Sequence, residues 1–207
     1  TLDGARAKAA AGGYPGALFP WEAADTGDEV TPDFMLSGGE RVPVLTGREE
    51  HHIAADVAYA VLQYVQATGD TAFLQQYGAE IVLEVARFWA GRAERDAAGA
   101  YHIRRVIGPD EYHETVDDNA YTNHLAAWVL RRAADLTADL AGNAPDIWPA
   151  LVERIQLNAA EPDHWRIVAA GLVRNYDPTT GLIEQFAGYH QLDPIDLSDH
   201  DTSIATV

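Results

Sequence analysis

The chain has 207 residues and no cysteine, and its 14 basic against 32 acidic side chains give a formal net charge of −18. The absence of cysteine excludes disulfides, thiolate nucleophiles and cysteine-based metal centres, and the negative charge disfavours binding to nucleic acids or anionic membrane surfaces. Apolar residues make up 47% of the sequence, which excludes wholesale disorder and allows a packed core.

No apolar run approaches the ~20 residues that a membrane-spanning helix needs. The first residues, Thr1 to Arg6, resemble neither a signal peptide nor a start methionine, so the sequence begins as the interior of a longer chain would. We therefore expect a cytoplasmic protein that binds neither nucleic acid nor membrane.

Helical periodicity dominates the sequence from its start. An alanine-rich helix is predicted from Leu2 to Ala11, ending at Gly12-Gly13. Residues 14–45 are rich in glycine, proline and aspartate and have no sustained period. They are predicted to form a long loop, which its aromatic residues would order.

The second and third helices are predicted from their end signals. Thr46 fits the N-cap of the second helix, with Glu49 completing a capping box, and Gly69 ends it. Asp70 caps the third helix, which should run to about Arg95. The spacing of apolar residues predicts that the second helix buries one stripe, made of Ile53, Val57, Val61, Tyr64 and Val65.

The second half of the sequence alternates irregular and helical segments. Residues 96–118 are irregular, and a fourth helix is predicted over about 119–140. Two shorter helices, over about 148–157 and 162–174, each have a proline in the first turn. Strand signals are almost missing, and the tail 193–207 is acidic and without pattern. About six helices, paired as hairpins, predict an all-α fold.

The segment 108–119 contains five carboxylates and a histidine but no lysine or arginine. Crowded like charges raise some carboxyl pKa values, which suits a carboxylic general acid at neutral pH. The last three residues, Asp117-Asp118-Asn119, instead suit the cap of the fourth helix. The candidates for the acid follow a turn-forming Gly-Pro pair: Asp110, Glu111 and Glu114.

A metal site is the alternative use of these side chains. Glu111, His113 and Glu114 could supply ligands, with His102 or the His51-His52 pair nearby in space. The spacing matches neither a zinc motif nor a calcium loop, so we predict no metal. The adjacent histidines are expected to place one ring in solvent and one in the core.

A second group combines an aromatic ring with a carboxylate at Trp21-Glu22, inside a loop fixed by glycine and proline. Sugars bind such pairs because the ring stacks on their C–H faces while the acid accepts hydroxyl hydrogen bonds. Trp21 could equally close the edge of the core, with Glu22 in solvent. No serine-nucleophile elbow, Walker motif or dinucleotide-binding glycine pattern occurs.

Taken in order, these motifs resemble glycoside hydrolase family 65, the maltose, trehalose and kojibiose phosphorylases and related acid trehalases. The resemblance covers nearly the whole chain, and its most specific part is Gly-Pro-Asp-Glu-Tyr-His followed by Asn-Ala-Tyr-Thr-Asn. The matching segments are Leu2–Ala9, Gly13–Glu22, His51–Asp56, Ala86–Trp89, Val106–Glu114, Asp118–Asn123 and Gly181–Tyr189.

This resemblance implies an (α/α)6 barrel of twelve helices, with residues 1–207 supplying roughly half of a single catalytic domain. It implies an inverting reaction with Glu111 as the general acid, and sugar contacts from Trp21, Glu22 and Thr46. Homodimers are usual in the family, so a homodimer is a further expectation.

The expected activity is phosphorolysis of an α-linked glucose disaccharide, with inorganic phosphate as co-substrate and no cofactor. Hydrolysis of the same sugars by water is one alternative, and a catalytically incomplete carbohydrate-binding fragment is another. The family's Trp-Asp-Thr-Glu segment, its Lys-Gln pair and its phosphate-binding His and Ser residues would all lie outside residues 1–207.

Overall fold

The computed structural model describes residues 1–194, so most of the acidic tail predicted over 193–207 lies outside the described residues. This part of the chain forms six helices of eight residues or more, which confirms the all-α prediction. The helices are α1 (Leu2–Ala11), α2 (Thr46–Glu49), α3 (His52–Thr68), α4 (Thr71–Phe73), α5 (Ala79–Arg92), α6 (Ala120–Asn143), α7 (Trp148–Ile155) and α8 (Glu161–Gly171), with a π-helical segment over Leu74–Gly78 and a 3₁₀ turn over Tyr189–Gln191.

Short antiparallel hairpins occur where the sequence shows almost no strand signal. The first lies inside the stretch predicted to be an irregular loop, and every residue of its two strands is exposed. A strand without a buried face has no alternation of apolar and polar residues to reveal it. The pairs are β1 (Phe34–Ser37) with β2 (Glu40–Pro43), β3 (Glu94–Arg95) with β4 (Tyr101–His102), and β5 (Tyr176–Asp177) with β6 (Leu182–Ile183).

The predicted second helix is broken in two, and its capping box is wrong. Leu45 occupies the N-cap of α2 without a side-chain bond, and the helix ends at Glu50, whose φ of −81° and ψ of 69° are not helical. The Glu49 carboxylate does not reach back to the cap, because it accepts a hydrogen bond of 2.7 Å from Thr115 Oγ1. A tertiary contact has replaced the local one.

The apolar stripe predicted for this helix is only half-buried, because α3 buries its small residues most deeply. Ala54, Ala55 and Ala58 are fully buried, whereas Tyr64 is 46% exposed. Helix α3 packs against α5 and α6, and small side chains at such a contact let the helix axes approach closely.

The third predicted helix begins where expected, since Asp70 Oδ1 accepts from Phe73 N at 2.9 Å. It then passes through the π-helical segment, where a Cβ added at Gly78 would lie 2.9 Å from Val61 Cγ1. Helix α5 ends at Arg92 rather than at about Arg95, because β3 begins there and pairs with β4.

Helix α6 is the centre of the packing and contacts α3, α5 and α8. The largest side chains of this core, Trp89, Trp165 and Phe88, are at most 1% exposed. Two interlinked groups of ion pairs join α1, α5, α7 and α8 at one side: Arg87 with Glu84 and Glu161, and Glu80 with Arg6 and Arg154. Among residues 1–194, no helix is both long and apolar enough to cross a bilayer.

Candidate active site

Residues 108–114 form a short loop, which we call the acid loop. The chain is closed at its base by Val106 and Val116, which exchange two backbone hydrogen bonds of 2.9 Å. A Cβ on Gly108 would lie 2.2 Å from the Asn119 side chain, so glycine allows the loop to approach the start of α6. Asn119 caps α6 by accepting from the backbone N–H three residues on, at 3.1 Å. Its predicted role as a cap is confirmed.

The two aspartates predicted to cap α6 beside Asn119 do something else. Asp118 is buried and accepts hydrogen bonds from the His102 ring at 2.7 Å and from Asn123 at 3.1 Å. Asp117 accepts from the backbone N–H of Arg105 at 3.0 Å. The bond to Asp118 also raises the pKa of His102. Both aspartates therefore fix the chain that enters and leaves the acid loop.

Three non-glycine residues with left-handed backbone flank the acid loop. Arg105, Thr115 and Asp118 have φ angles of 53°, 56° and 52°. Such conformations are uncommon for residues with a Cβ and persist where surrounding contacts hold them. The path of the acid loop is thus set by its surroundings rather than by local preference.

The segment after β6 holds the acid loop from its other side. Gln185 Nε2 donates to Asp110 Oδ2 at 2.9 Å, and this bond lowers the pKa of Asp110. Asp110 is therefore not one of the carboxyls whose pKa crowding raises. The His113 ring lies 5.0 Å from the Phe186 ring, between centroids. Gln185 belongs to a motif that the sequence analysis quoted without giving it a role.

The α2–α3 junction lies against the acid loop. Glu49 anchors both ends of that loop, because its carbonyl oxygen accepts from Ile107 N at 3.1 Å and its carboxylate accepts from Thr115 Oγ1 at 2.7 Å. Glu50, the next residue, is only 1% exposed. Burial and the nearby charge of Glu111 raise the pKa of Glu50 to about 8. Glu111 itself is exposed on the loop.

His52, the first residue of α3, links this junction to Trp21. Its Nδ1 lies 2.8 Å from Asp56 Oδ2, and Tyr121 donates its hydroxyl to Asp56 Oδ1 at 2.7 Å. Burial and Asp56 raise the pKa of Tyr121 to about 12. The Trp21 ring meets His52 edge-on, with centroids 5.8 Å apart. Trp21 thereby lies beside the same junction as Glu111.

The expectation of one solvated histidine is wrong, since His51 and His52 are 8% and 5% exposed. His51 faces away from Trp21 and lines a cavity of about 430 Å³ together with Lys8, Arg92 and Arg105. Its ring lies 3.3 Å from Arg92 Nε and bonds the Arg48 carbonyl at 2.8 Å. Burial and Arg92 lower the pKa of His51 to about 3, so this ring is neutral.

Glu29 anchors the loop that carries the predicted sugar-binding pair. Its carboxylate accepts from the backbone N–H groups of Trp21 at 2.8 Å and Glu22 at 3.2 Å, and it also pairs with Lys8. Against the opposing effect of burial, the hydrogen bonds from Lys8, Thr31 and the backbone lower the pKa of Glu29 to about 2. This structural role was missed in the sequence.

The predicted site residues occupy two loops and one helix start around the α2–α3 junction. Trp21 is half-buried against His52, and Glu22 is exposed in the same loop. Thr46 is half-buried as the first residue of α2, four positions before Glu50. Within residues 1–194, no group of three or more His, Asp or Glu side chains is placed to hold a metal ion.

Residues 1–206 match the family model of the glycosyl hydrolase family 65 central catalytic domain. The chain is 46% identical over 192 residues to a kojibiose phosphorylase of Caldanaerobacter subterraneus, covering 92% of this chain and 25% of the relative. It is 40% identical over 179 residues to a kojibiose hydrolase of Flavobacterium johnsoniae, covering 86% and 24%. The chain belongs to family 65 and spans about a quarter of the length of these relatives.

A solved structure shows the same fold. It is that of a human-microbiome protein named as a proposed kojibiose phosphorylase, with a TM-score of 0.80 over 95% of this chain and 27% of the other, at 23% identity. The predicted fold class, an all-α chain that supplies part of an (α/α)6 barrel, is confirmed.

Proposed function

We propose that this chain is part of the catalytic barrel of an inverting enzyme that cleaves an α-linked glucose disaccharide with phosphate. The observation that carries the proposal is the placement of an exposed carboxyl, Glu111, on a loop anchored at both ends and lying against a buried junction. Family membership supports the class of reaction, and the phosphorylase relative supports phosphate as the acceptor of the glucosyl group.

In the proposed reaction, Glu111 gives its proton to the glycosidic oxygen while a phosphate oxygen attacks the anomeric carbon from the opposite face. The bond between that carbon and the glycosidic oxygen breaks. The products are β-glucose 1-phosphate and the released sugar with its new hydroxyl proton. Glu111 is left as a carboxylate and regains a proton before the next turnover.

Binding of the disaccharide is assigned to three side chains around the junction. Trp21 offers a half-buried ring for stacking on a sugar face, and its position is set by His52 and by the Glu29 anchor. Glu22 offers a carboxylate and Thr46 a hydroxyl for sugar hydroxyl groups. Kojibiose is the first candidate substrate, because it is named in both the phosphorylase and the hydrolase relative.

Hydrolysis is the second candidate function, favoured by the relative named as a hydrolase. The two are separated by incubating the protein at its natural length with kojibiose, trehalose or maltose, with and without phosphate. Release of β-glucose 1-phosphate that requires phosphate supports phosphorolysis, and free glucose without phosphate supports hydrolysis. Binding of the sugars without turnover in either condition would leave a carbohydrate-binding fragment.

The role of Glu111 is tested by Glu111→Gln, which keeps the shape of the side chain and removes its acidic proton. We expect a loss of ~10²–10⁴-fold in kcat on the disaccharide, the usual contribution of a general acid. Glu114→Gln, a change at an exposed carboxyl of the same loop, is the matched control and should keep wild-type kcat. Equal activity of both variants would refute the assignment.

A further inference from the structure

A groove of about 600 Å³ lies between the packed helices α6 and α8, and three arginines and one acid line it. Arg131 and Asp135 come from successive turns of α6, Arg166 comes from α8, and Arg174 follows the end of α8. Arg131 lies twelve positions after the N-cap Asn119, or about 18 Å along the helix axis. The groove is therefore separate from the residues around the acid loop.

Two of the three guanidinium groups in this groove have no carboxylate beside them. Among residues 1–194, the ion pairs of the groove belong to Arg166, which lies 3.4 Å from Asp135 and 3.4 Å from Asp163. In the same part of the chain, neither Arg131 nor Arg174 has a carboxylate oxygen within 4 Å. The groove thus carries two positive charges that no described neighbour balances, in a protein whose net charge is −18.

The guanidinium of Arg174 also has donors that the described chain does not use. Its Nη2 donates to the carbonyl oxygen of Ala169 at 3.0 Å, while its Nε is buried and has no hydrogen-bond partner within residues 1–194. Buried donors without a partner are rare in folded proteins. A turn of the side chain toward the groove that Arg174 lines would pair these donors with the oxygens of a ligand.

The two unbalanced arginines influence each other across the groove. Partial burial and the positive charge of Arg174 lower the pKa of Arg131. Because arginine stays protonated at neutral pH, the two like charges repel each other. An anion bound between them would remove this repulsion, which favours its binding.

The chemistry of the groove selects a small anion with about two charges. A phosphate group carries a charge of about −1.5 to −2 at pH 7, which matches the two unbalanced guanidinium groups. Guanidinium groups donate paired N–H bonds in the geometry that phosphate oxygens accept. The net charge of −18 repels polyanions such as nucleic acids at long range, so the ligand is a small molecule.

We propose that the groove between α6 and α8 is a phosphate-binding site in which Arg131 and Arg174 donate to the phosphate oxygens. Arg166 borders the site and is held there by the Ala134 carbonyl, which accepts from its Nη2 at 3.1 Å. The ligand is inorganic phosphate or a phosphate ester, since both present the same oxygens. This site goes beyond the proposed function, because none of its residues belongs to the candidate active site.

The test is isothermal titration calorimetry of the protein at its natural length with inorganic phosphate, at constant ionic strength. Arg131→Gln and Arg174→Gln each remove one charge from the groove. We expect each to weaken phosphate binding at one site by about 10- to 100-fold, the effect of losing a hydrogen bond to a charged group. Arg132→Gln is the matched control and should bind as the wild type does, because Arg132 is the next residue of α6, is exposed and does not line the groove.

A second measurement separates the groove from phosphate bound during catalysis. The KM for phosphate in the cleavage of kojibiose should be the same in the wild type and in both groove variants. If the proposed function fails, no protein shows phosphate-dependent cleavage, and calorimetry still reports the groove. Glucose 6-phosphate is titrated in parallel. Binding of it that requires Arg131 extends the site to phosphate esters, and its absence assigns the site to inorganic phosphate alone.

Three results would overturn the proposal: equal phosphate binding by the wild type and both groove variants, a loss in Arg132→Gln as large as that in Arg131→Gln, or a KM for phosphate that rises in step with the loss of binding. If Arg174→Gln does not fold, Arg131→Gln decides, since the Arg131 side chain is exposed. A groove variant that loses folding stability with phosphate binding unchanged would also contradict the site, because a carboxylate from outside residues 1–194 would then occupy the groove.

Discussion

Glu84 and Glu50 are both buried glutamates, 4% and 1% exposed, but their surroundings differ completely. The carboxylate of Glu84 lies 2.9 Å from Arg87 and 3.2 Å from Arg6, within the ion pairs that join α1 to α5. Glu50 has no hydrogen-bond partner among residues 1–194, and burial together with the charge of Glu111 raises its pKa to about 8. The charge of Glu84 is balanced by neighbouring arginines, whereas the Glu50 carboxyl has no such cation beside it in the described part of the chain.

The comparison shows how partners decide what a buried carboxyl can do. A buried charge persists when it is paired and hydrogen-bonded, and it then serves to join elements of the fold. A buried acid without a cation stays protonated, and it retains a donor for use during a reaction. Glu84 is therefore kept in the fold as a charged residue and Glu50 as a neutral one.

The largest expected loss of folding stability comes from removing an arginine that pairs with Glu84. Arg87→Leu removes the cation shared by the buried Glu84 and the half-buried Glu161, while Glu84 keeps Arg6. We expect a loss of about 3 kcal/mol, the lower end of the range for a broken buried pair. Urea unfolding followed by tryptophan fluorescence measures the loss. Arg166→Leu is the control, because Arg166 is 44% exposed and its ion pairs with Asp135 and Asp163 lie at the surface. Similar losses in both variants would contradict the difference in stability expected between the inner ion pairs of Arg87 and the surface ion pairs of Arg166.

A smaller loss of folding stability is expected at Glu29, whose charge is balanced by Lys8 and by backbone N–H groups. Its pKa of about 2 lies below the ordinary 4.5, so its contribution is present above pH 4.5 and is lost as pH falls towards 2. Glu29→Gln should cost about 1.5–3 kcal/mol at pH 7, the range for hydrogen bonds to a charged group. The free energy of unfolding of Glu29→Gln should also lack the pH dependence that Glu29 gives the wild type between pH 4.5 and about 2.

The control for Glu29→Gln is Asp25→Asn, a change at an exposed carboxyl of the same loop. Its unfolding free energy should follow that of the wild type from pH 2 to pH 6, a window that brackets the ordinary and lowered pKa of Glu29. If unfolding free energy plotted against pH runs parallel for Glu29→Gln and the wild type, then Lys8 and the backbone donors do not stabilise a negative charge on Glu29.

An effect of the opposite sign, a change in unfolding free energy of about 1.4 kcal/mol for each pH unit, is expected at Glu50. Its pKa is raised from 4.5 to about 8, so between these values the folded state keeps a proton that the unfolded state has released. Stability of the wild type therefore falls as pH rises through this window. Glu50→Gln has no proton to release and should lose that slope.

The measurement is the difference in unfolding free energy between Glu50→Gln and the wild type at several pH values from 5 to 8, inside the window set by the two pKa values of Glu50. The difference should grow with pH in favour of the variant. A constant difference would mean that Glu50 is ionised in the folded protein, and it would remove the contrast with Glu84.

Local signals in the sequence located much of the fold. The limits of α1 and the caps at Asp70 and Asn119 were predicted from residues that bond within a few positions of themselves. The error at Thr46 has a long-range cause, because Glu49 is engaged by Thr115, 66 residues away. No local pattern contains that information.

The candidate site was proposed from local signals of the same kind, and its assignment stays a prediction. Glu111 and Trp21 stood out because a carboxylate after Gly-Pro and an aromatic beside an acid are visible as neighbours in sequence. Glu50 gave no such sign, since it occupies a helical pattern among ordinary polar residues. Its raised pKa comes from burial and from the charge of Glu111, and both arise only when distant segments meet.

The adjacent histidines of the α2–α3 junction have a consequence for how this protein can vary. Their rings project to opposite sides of the backbone, His51 into the cavity lined by basic residues and His52 toward Trp21 and Tyr121. The main chain at these two residues therefore lies between the cavity and Trp21. Because His52 begins α3, inserting or deleting one residue would turn both rings by about 100° and break these contacts. Relatives should therefore tolerate changes of residue type here more readily than changes of length.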